Sequence, residues 1–87
     1  MLHKLIDQYI SRLTKDDINS FGIKNGIELN DDALNLIYNY VKNDYKTIIF
    51  GNPKPIFDNI KQNVDETTYQ KIENLYLTFY DKYKNYL

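Results

Sequence analysis

The stretch LTKDDINSFGIKNGIELNDDALNLIYNYVK, residues 13–42, contains the start and stop signals of two helices. Thr14 has the chemistry of an N-cap, and acidic residues follow it in the first turn, where the positive end of the helix dipole favours them. Asn25 and Gly26 are typical of a left-handed helix stop, and Asn30 repeats the start signal. We therefore predict two capped helices joined by a short extended link, the first with Ile18 and Phe21 on one face and the second covering about 31–43.

The residues before this stretch predict a first helix over about 2–12. Its apolar side chains recur at the spacing of one helical face: Leu2, Leu5, Ile6, Tyr9, Ile10 and Leu13. Charged and polar residues occupy the other positions, as they do in a helix that packs by one face.

The residues after the stretch are less regular at first. Residues 45–50 fit either a helical turn or a buried extended segment, and periodicity does not separate the two. Gly51 begins a turn in which we expect Asn52 to be a cap and Pro53 to be the first residue of a fourth helix. The predicted inner side of that helix consists of Ile56, Phe57, Ile60 and Val64.

The last predicted helix is the longest, from about 66 to 86, and it begins after an acidic pair. One face is almost continuously apolar and rich in tyrosine, and we expect Ile72, Leu75 and Phe79 to be its most buried positions. The pattern as a whole predicts an all-α fold, a compact bundle of four or five helices with a long C-terminal helix as its central or clamping element. We expect one helical domain, 1–87.

Composition limits the classes of function. The 87 residues carry a formal net charge of −1, which disfavours a polyanion as the main partner. There is no cysteine, so disulfides and thiolate metal sites are excluded, and a reducing, cytoplasmic location is expected. No apolar run approaches the roughly 20 residues of a membrane span, so we expect no membrane association.

The sequence offers no recognisable set of catalytic residues. His3 is the single histidine, and the serines at 11 and 20 have no local histidine base. The acidic pairs at 16–17, 31–32 and 65–66 all precede or open predicted helices, where capping explains them without metal binding. We therefore expect a non-enzymatic protein without metal or cofactor.

Tyrosines in the last helix are the candidate contact surface for a partner. We name Tyr76, Tyr80, Tyr83 and Tyr86 the tyrosine seam. Packing within the chain explains most of this stripe, but tyrosine hydroxyls favour a partly solvated edge. Positions 69 to 86 also fit a heptad pattern, which would let the same surface bind a second copy of the chain. The leading hypothesis is a protein-protein interaction module, with self-association as a further expectation and the partner unknown.

A weak nucleic-acid-binding domain is the alternative hypothesis. In outline, residues 13–42 resemble the helix-extension-helix modules of small DNA-binding domains, although this stretch has more acidic than basic residues. If the alternative holds, the expected contacts are Lys42, Tyr45, Lys46, Lys54 and Lys61.

The stretch also resembles a family of short, uncharacterised all-helical proteins (a domain of unknown function) from Gram-positive bacteria. The resemblance extends to a last helix and lies in Leu13-Thr14, Asp17-Ile18, Gly26-Ile27, Leu29-Asn30, Asp32-Ala33, Ile37, Val41-Lys42 and Asn52-Pro53. This sequence has Asp17 and Asp32 near the caps, where the family favours Glu or Gln. The resemblance implies a helical, cytosolic bacterial protein. It provides no site residues to transfer to this sequence.

Overall fold

The fold is that of a computed structural model, which describes the backbone of residues 2–86 and the side chains of 4–82, 84 and 85. Within these residues the chain is all-α, with five α-helices and a short terminal 3₁₀ helix, and the predicted fold class is confirmed. The helices are α1 (Leu2–Arg12), α2 (Lys15–Lys24), α3 (Asp31–Phe50), α4 (Lys54–Asn63) and α5 (Glu66–Tyr83).

The predicted start of α2 is confirmed as a capping box. The Thr14 hydroxyl accepts the backbone N–H of Asp17 at 3.1 Å, and the Asp17 carboxylate accepts the backbone N–H of Thr14 at 2.9 Å. These reciprocal bonds satisfy donors at the helix start, and they fix the two-residue link between α1 and α2.

The predicted left-handed stop of α2 is also confirmed. Gly26 has φ of 74°, and Ile27 donates its N–H to the Gly22 carbonyl at 2.8 Å, which completes a Schellman motif. A Cβ atom at position 22 would lie 3.3 Å from the Ile27 carbonyl oxygen, so glycine there lets the returning chain approach closely. Ile27 is buried as a result.

Helix α3 resolves the open question about residues 45–50, which are helical. The helix continues through a local kink at Asp44, where φ is −126° and ψ is 19°. The kink at Asp44 divides the 20 residues of α3 into two helical pieces, so the 18 residues of α5 form the longest uninterrupted helix, as predicted. Asn30 caps α3 as expected, because its side-chain oxygen accepts the Ala33 N–H at 2.8 Å.

The start of α4 differs by one residue from the prediction. Pro53 is the N-cap and not the first helical residue, and the Asn52 side-chain oxygen accepts the Lys54 N–H at 3.1 Å. Pro55 lies in the first turn, where its missing N–H removes no helical hydrogen bond.

The apolar core joins α3, α4 and α5. Ile56 and Ile60 of α4 and Tyr69 of α5 are buried together. Partly buried apolar residues surround them: Leu36, Ile37, Tyr40, Ile48, Phe57, Val64 and Ile72. Helix α3 packs against α1, α2 and α4, so α3 is the central element. The prediction that the last helix is the central or clamping element was wrong about the central position, which α3 occupies.

Polar bonds attach α1 and the link that follows it to α3. The Lys42 ammonium donates to the carbonyls of Ile10, Ser11 and Leu13 at 2.9, 3.2 and 3.1 Å, and so caps the C-terminal end of α1. The Tyr45 hydroxyl donates to the Asp7 carboxylate in the same region. These contacts position α1 beside α3 with little apolar burial, since Ile10, at 9% exposed, is the one buried side chain of α1 among those described.

Candidate functional site

A concave surface lies between α1 and α2. Both helices pack against α3, but they diverge from each other and leave an open groove of about 630 Å³, which we call the α1–α2 groove. It is lined by Leu5, Gln8, Tyr9, Arg12, Leu13, Asp17, Ser20, Phe21 and Lys24. The volume falls within the usual range for sites that bind ligands in proteins.

The apolar stripe of α1 supplies one wall of the groove. This stripe is wider than the surface that α3 covers, so its two edges have different environments. Ile10 is buried and Ile6 is half-buried, whereas Leu5 and Tyr9 are 61% and 66% exposed. The spacing of Leu5 and Tyr9 places them one turn apart on the groove side.

Helix α2 supplies the opposite wall. Its lining residues recur at positions i, i+3, i+4 and i+7, which form one face of the helix: Asp17, Ser20, Phe21 and Lys24. Phe21 is 56% exposed although the sequence pattern placed it on the packing face with Ile18. Because α2 is only ten residues long and Gly22 follows Phe21, the helix packs through Gly22 and leaves the phenyl ring open.

Three charged residues line the groove, and their surroundings differ. Asp17 is bound in the capping box, and its hydrogen bond from the Thr14 backbone holds the pKa of the carboxyl below its usual value. Arg12 and Lys24 lie in the last turns of α1 and α2. Neither cation forms an ion pair with another residue that the structure describes.

The tyrosine seam is partly used within the chain. The Tyr76 hydroxyl donates to the Ile48 carbonyl at 3.2 Å, and its ring contacts Phe57 with ring centroids 4.9 Å apart. Burial, and secondarily the neighbouring Tyr80, raises the pKa of Tyr76. Tyr80 stacks on Tyr76 at 6.0 Å and is 42% exposed. The side chains of Tyr83 and Tyr86 lie outside the described residues.

The expectation for buried positions of α5 was partly wrong. Ile72 and Leu75 are half-buried, but Phe79 is 41% exposed, while Tyr69 is the buried residue of this helix. The core formed by α3 and α4 covers the first turns of α5, so the end of the helix extends beyond its packing partners. Leu77, Phe79 and Tyr80 in this part of α5 are 51%, 41% and 42% exposed, and we call these three residues the α5 end.

The candidate nucleic-acid contacts have separate local roles. Lys42 and Tyr45 are bonded to α1. Lys61 lies over the Tyr69 ring of α5 at 5.6 Å, and Lys54 pairs with Asp58 at 2.9 Å. Lys46 is exposed on α3. The structure thus directs Lys42 and Lys61 toward different helices and does not bring them together in one contact.

The groove can bind chiefly through apolar contact. Among the residues whose side chains are described, none that is polar or charged is buried, and no group of histidine and acidic residues could hold a metal ion. Within residues 2–86, no helix has both the length and the apolar character of a membrane span.

Sequence reasoning missed the groove because it assigned Leu5, Tyr9 and Phe21 to packing faces. The width of the apolar stripe of α1 was the sequence signal that could have indicated the groove.

The geometry defines a small all-α protein of five helices with an open apolar groove. Comparison with known proteins adds nothing to this description, since no family model, no curated protein and no solved structure matches the chain. The resemblance to a bacterial helical family rests on the residues quoted for it and stays a prediction.

Proposed function

We propose that this protein is a non-enzymatic interaction module that binds another protein through the α1–α2 groove. The observation that carries the proposal is the exposure of Leu5, Tyr9 and Phe21 on facing walls of one concave surface. Single exposed apolar residues are common, but a contiguous apolar surface with a polar rim is typical of binding sites.

The relation of these side chains to the fold supports the proposal. Leu5, Tyr9 and Phe21 contribute little to the core, which lies between α3, α4 and α5. The free energy of hydrating these exposed apolar side chains is unfavourable, and folding of this chain does not remove that cost. A partner that covered them would gain roughly 25 cal/mol for each Å² of apolar surface removed from water.

A selection experiment tests the proposal. A random peptide display library is selected against the intact protein, with a Tyr9→Ser/Phe21→Ser variant used for counter-selection. We expect enriched peptides that lose binding to the variant and that shift amide resonances of residues 5–24 in a two-dimensional NMR spectrum. Enriched peptides that bind both proteins equally, or a selection that enriches none, would contradict the proposal. The variant should stay folded because both side chains are mostly exposed.

Self-association through the α5 end is a second candidate function. Leu77 is 51% exposed there, beside Phe79 and Tyr80, so one chain could cover part of this surface on another. Sedimentation across the micromolar range tests it, with Leu77→Ser as the variant. A species of 10.4 kDa at every concentration would exclude self-association.

Weak nucleic-acid binding is an alternative proposal for the function. A cytoplasmic location is proposed as well. Lys46 and its neighbours on α3 would carry the binding. Titration of the labelled protein with mixed-sequence DNA at low salt separates this alternative from the interaction module. Salt-sensitive amide shifts between residues 40 and 62 would favour it, and an unchanged spectrum would exclude it.

A further inference from the structure

We propose that the α1–α2 groove accepts an acidic amphipathic helix from a partner protein. This inference rests on the proposed interaction function and names the chemistry of the partner. It requires a groove with an excess of positive charge and with two walls that fit a helix. It also requires that no segment of a second copy of this chain fits the groove equally well.

Arg12 is available to an anionic partner because another residue caps its helix. A cation in the last turn of a helix usually interacts with the free carbonyls there. In α1 those carbonyls accept the Lys42 ammonium instead, at the three positions Ile10, Ser11 and Leu13. Arg12 therefore lines the groove without a partner among the described residues, and the nearby Lys42 adds to the positive potential.

Lys24 is available for the same reason at the end of α2. The Phe21 carbonyl accepts the Asn25 side-chain amide at 2.8 Å, and the Gly22 carbonyl accepts the backbone N–H of Ile27 at 2.8 Å. The Ile23 carbonyl accepts the Gly26 N–H at 3.0 Å. Backbone and side-chain donors thus satisfy these carbonyls, and the Lys24 ammonium is not needed as a cap.

The acidic residue of the groove does not cancel these two cations locally. The Asp17 carboxylate is bonded to the Thr14 backbone and lies at the positive N-terminal end of α2. Its charge is stabilised there, as its lowered pKa shows. The lining of the groove consequently carries two cations against one carboxylate that already accepts a hydrogen bond, a local excess of positive charge, although the whole chain has a net charge of −1.

The shape of the groove fits a helix of about two turns. From Leu5 to Arg12 and from Asp17 to Lys24, each wall consists of eight residues, whose ends are about 10 Å apart at a rise of 1.5 Å per residue. Each wall presents side chains at helical spacing, and such ridges pack against the side chains of a third helix. A partner helix would place apolar anchors at i, i+3 or i+4, and i+7 between Tyr9 and Phe21, with its acidic residues toward Arg12 and Lys24.

The α5 end of a second copy does not meet these requirements. Its nearby carboxylates are already engaged, since Asp81 pairs with Lys84 at 3.1 Å and Glu73 accepts the Tyr69 hydroxyl at 3.0 Å. Among the side chains that the structure describes, these two carboxylates near the α5 end are therefore both engaged. A partner protein with an acidic apolar segment fits the groove better than another copy of this chain.

Three synthetic peptides of roughly 16 residues test the inference; the length is chosen because shorter isolated helices are marginal in water. They share one pattern of leucine and phenylalanine anchors and differ only in whether the other positions hold Glu, Gln or Lys. Binding to the intact protein is measured by fluorescence anisotropy at low salt. We expect the Glu peptide to bind roughly tenfold more tightly than the Lys peptide, and this preference to shrink at high salt.

Variants assign the preference to particular side chains. Arg12→Gln/Lys24→Gln should remove most of the preference for the Glu peptide, whereas the matched control Lys46→Gln should retain it, because Lys46 lies on α3 outside the groove. Phe21→Ser should weaken binding of the Glu peptide at least about tenfold.

The outcomes separate this inference from the proposed function. Equal binding of all three peptides, with amide shifts at residues 5–24, would overturn the acidic partner and leave the interaction module standing. Binding of none of the peptides would overturn the acidic partner as well, and the library selection would then decide the interaction module on its own.

Discussion

The two ends of this molecule are stabilised in different ways. Helices α3, α4 and α5 share an apolar core around Ile56, Ile60 and Tyr69. Helix α1 is attached to α3 by polar bonds from Lys42 and Tyr45 and by the buried Ile10, while large apolar side chains of α1 and α2 are left in solvent. The region of the molecule with the least buried apolar surface therefore exposes the most apolar surface to a partner, because the chain does not use that surface to fold.

Removing a side chain from the core should have the largest effect. We expect Ile60→Ala to lower the free energy of unfolding by about 2 to 4 kcal/mol, since Ile60 is buried among three helices and its removal leaves a cavity. Chemical denaturation measures this change. The matched control is Ile23→Ala in α2, where the side chain is exposed and the change should be within about 0.5 kcal/mol. Equal effects would contradict the comparison.

Removing the Lys42 ammonium should loosen α1 selectively. We expect Lys42→Met to cost about 1 to 2 kcal/mol, because three carbonyls at the end of α1 lose a charged donor. Native-state amide exchange should become faster in α1 and stay unchanged in α4. Lys46→Met is the control, one turn further along α3 and exposed. Uniform loss of protection throughout the chain would show that the two regions unfold together.

Removing the cap of α2 should have a smaller effect. Thr14→Ala deletes the hydroxyl that accepts the Asp17 N–H, and we expect a loss of about 1 kcal/mol. Thermal unfolding measures it. The control Thr78→Ala, at an exposed position inside α5, should be neutral or slightly stabilising, because alanine has the higher helix propensity. A Thr14→Ala variant as stable as the original would mean that the capping box does not stabilise α2.

The smallest expected effect is a pH dependence from Asp17. Its pKa is lower in the folded chain than the usual 3.8, so its contribution to stability is present above that value and is lost as the pH falls through the folded pKa. Asp17→Asn should therefore lose less stability than the original chain on acidification below about pH 4. Asp16→Asn, at a position without a described side-chain hydrogen bond, should behave like the original. Parallel acid curves for the original and Asp17→Asn would refute the assignment.

Local signals in the sequence predicted most of the secondary structure. Thr14, Asn30 and Gly26 marked helix ends that the structure contains, because caps and left-handed stops depend on neighbouring residues alone. Residues 45–50 could not be assigned in this way. Their helical form depends on contacts such as Ile48 with the core and Tyr45 with Asp7, which are distant in the sequence.

The candidate site was much less predictable. The sequence placed the partner surface on the tyrosines of α5, but Tyr76 is used within the chain, where it bonds to Ile48 and packs on Phe57. Lys42 was a candidate nucleic-acid contact and instead caps α1. Both differences have one cause: a side chain with an aromatic ring or an ammonium group can bind either a partner or its own chain, and the spacing along a helix is the same in both cases.

Helix ends and apolar stripes followed directly from residues that are close in the sequence, since a hydrogen bond at a cap and the 3.6-residue period act over a few positions. Which side of each stripe is covered depended on how five helices share a limited core. Helix α3 became the central helix, and packing against it buried Ile10 and left Leu5, Tyr9 and Phe21 exposed. The groove is therefore a property of the packing and not of any one segment.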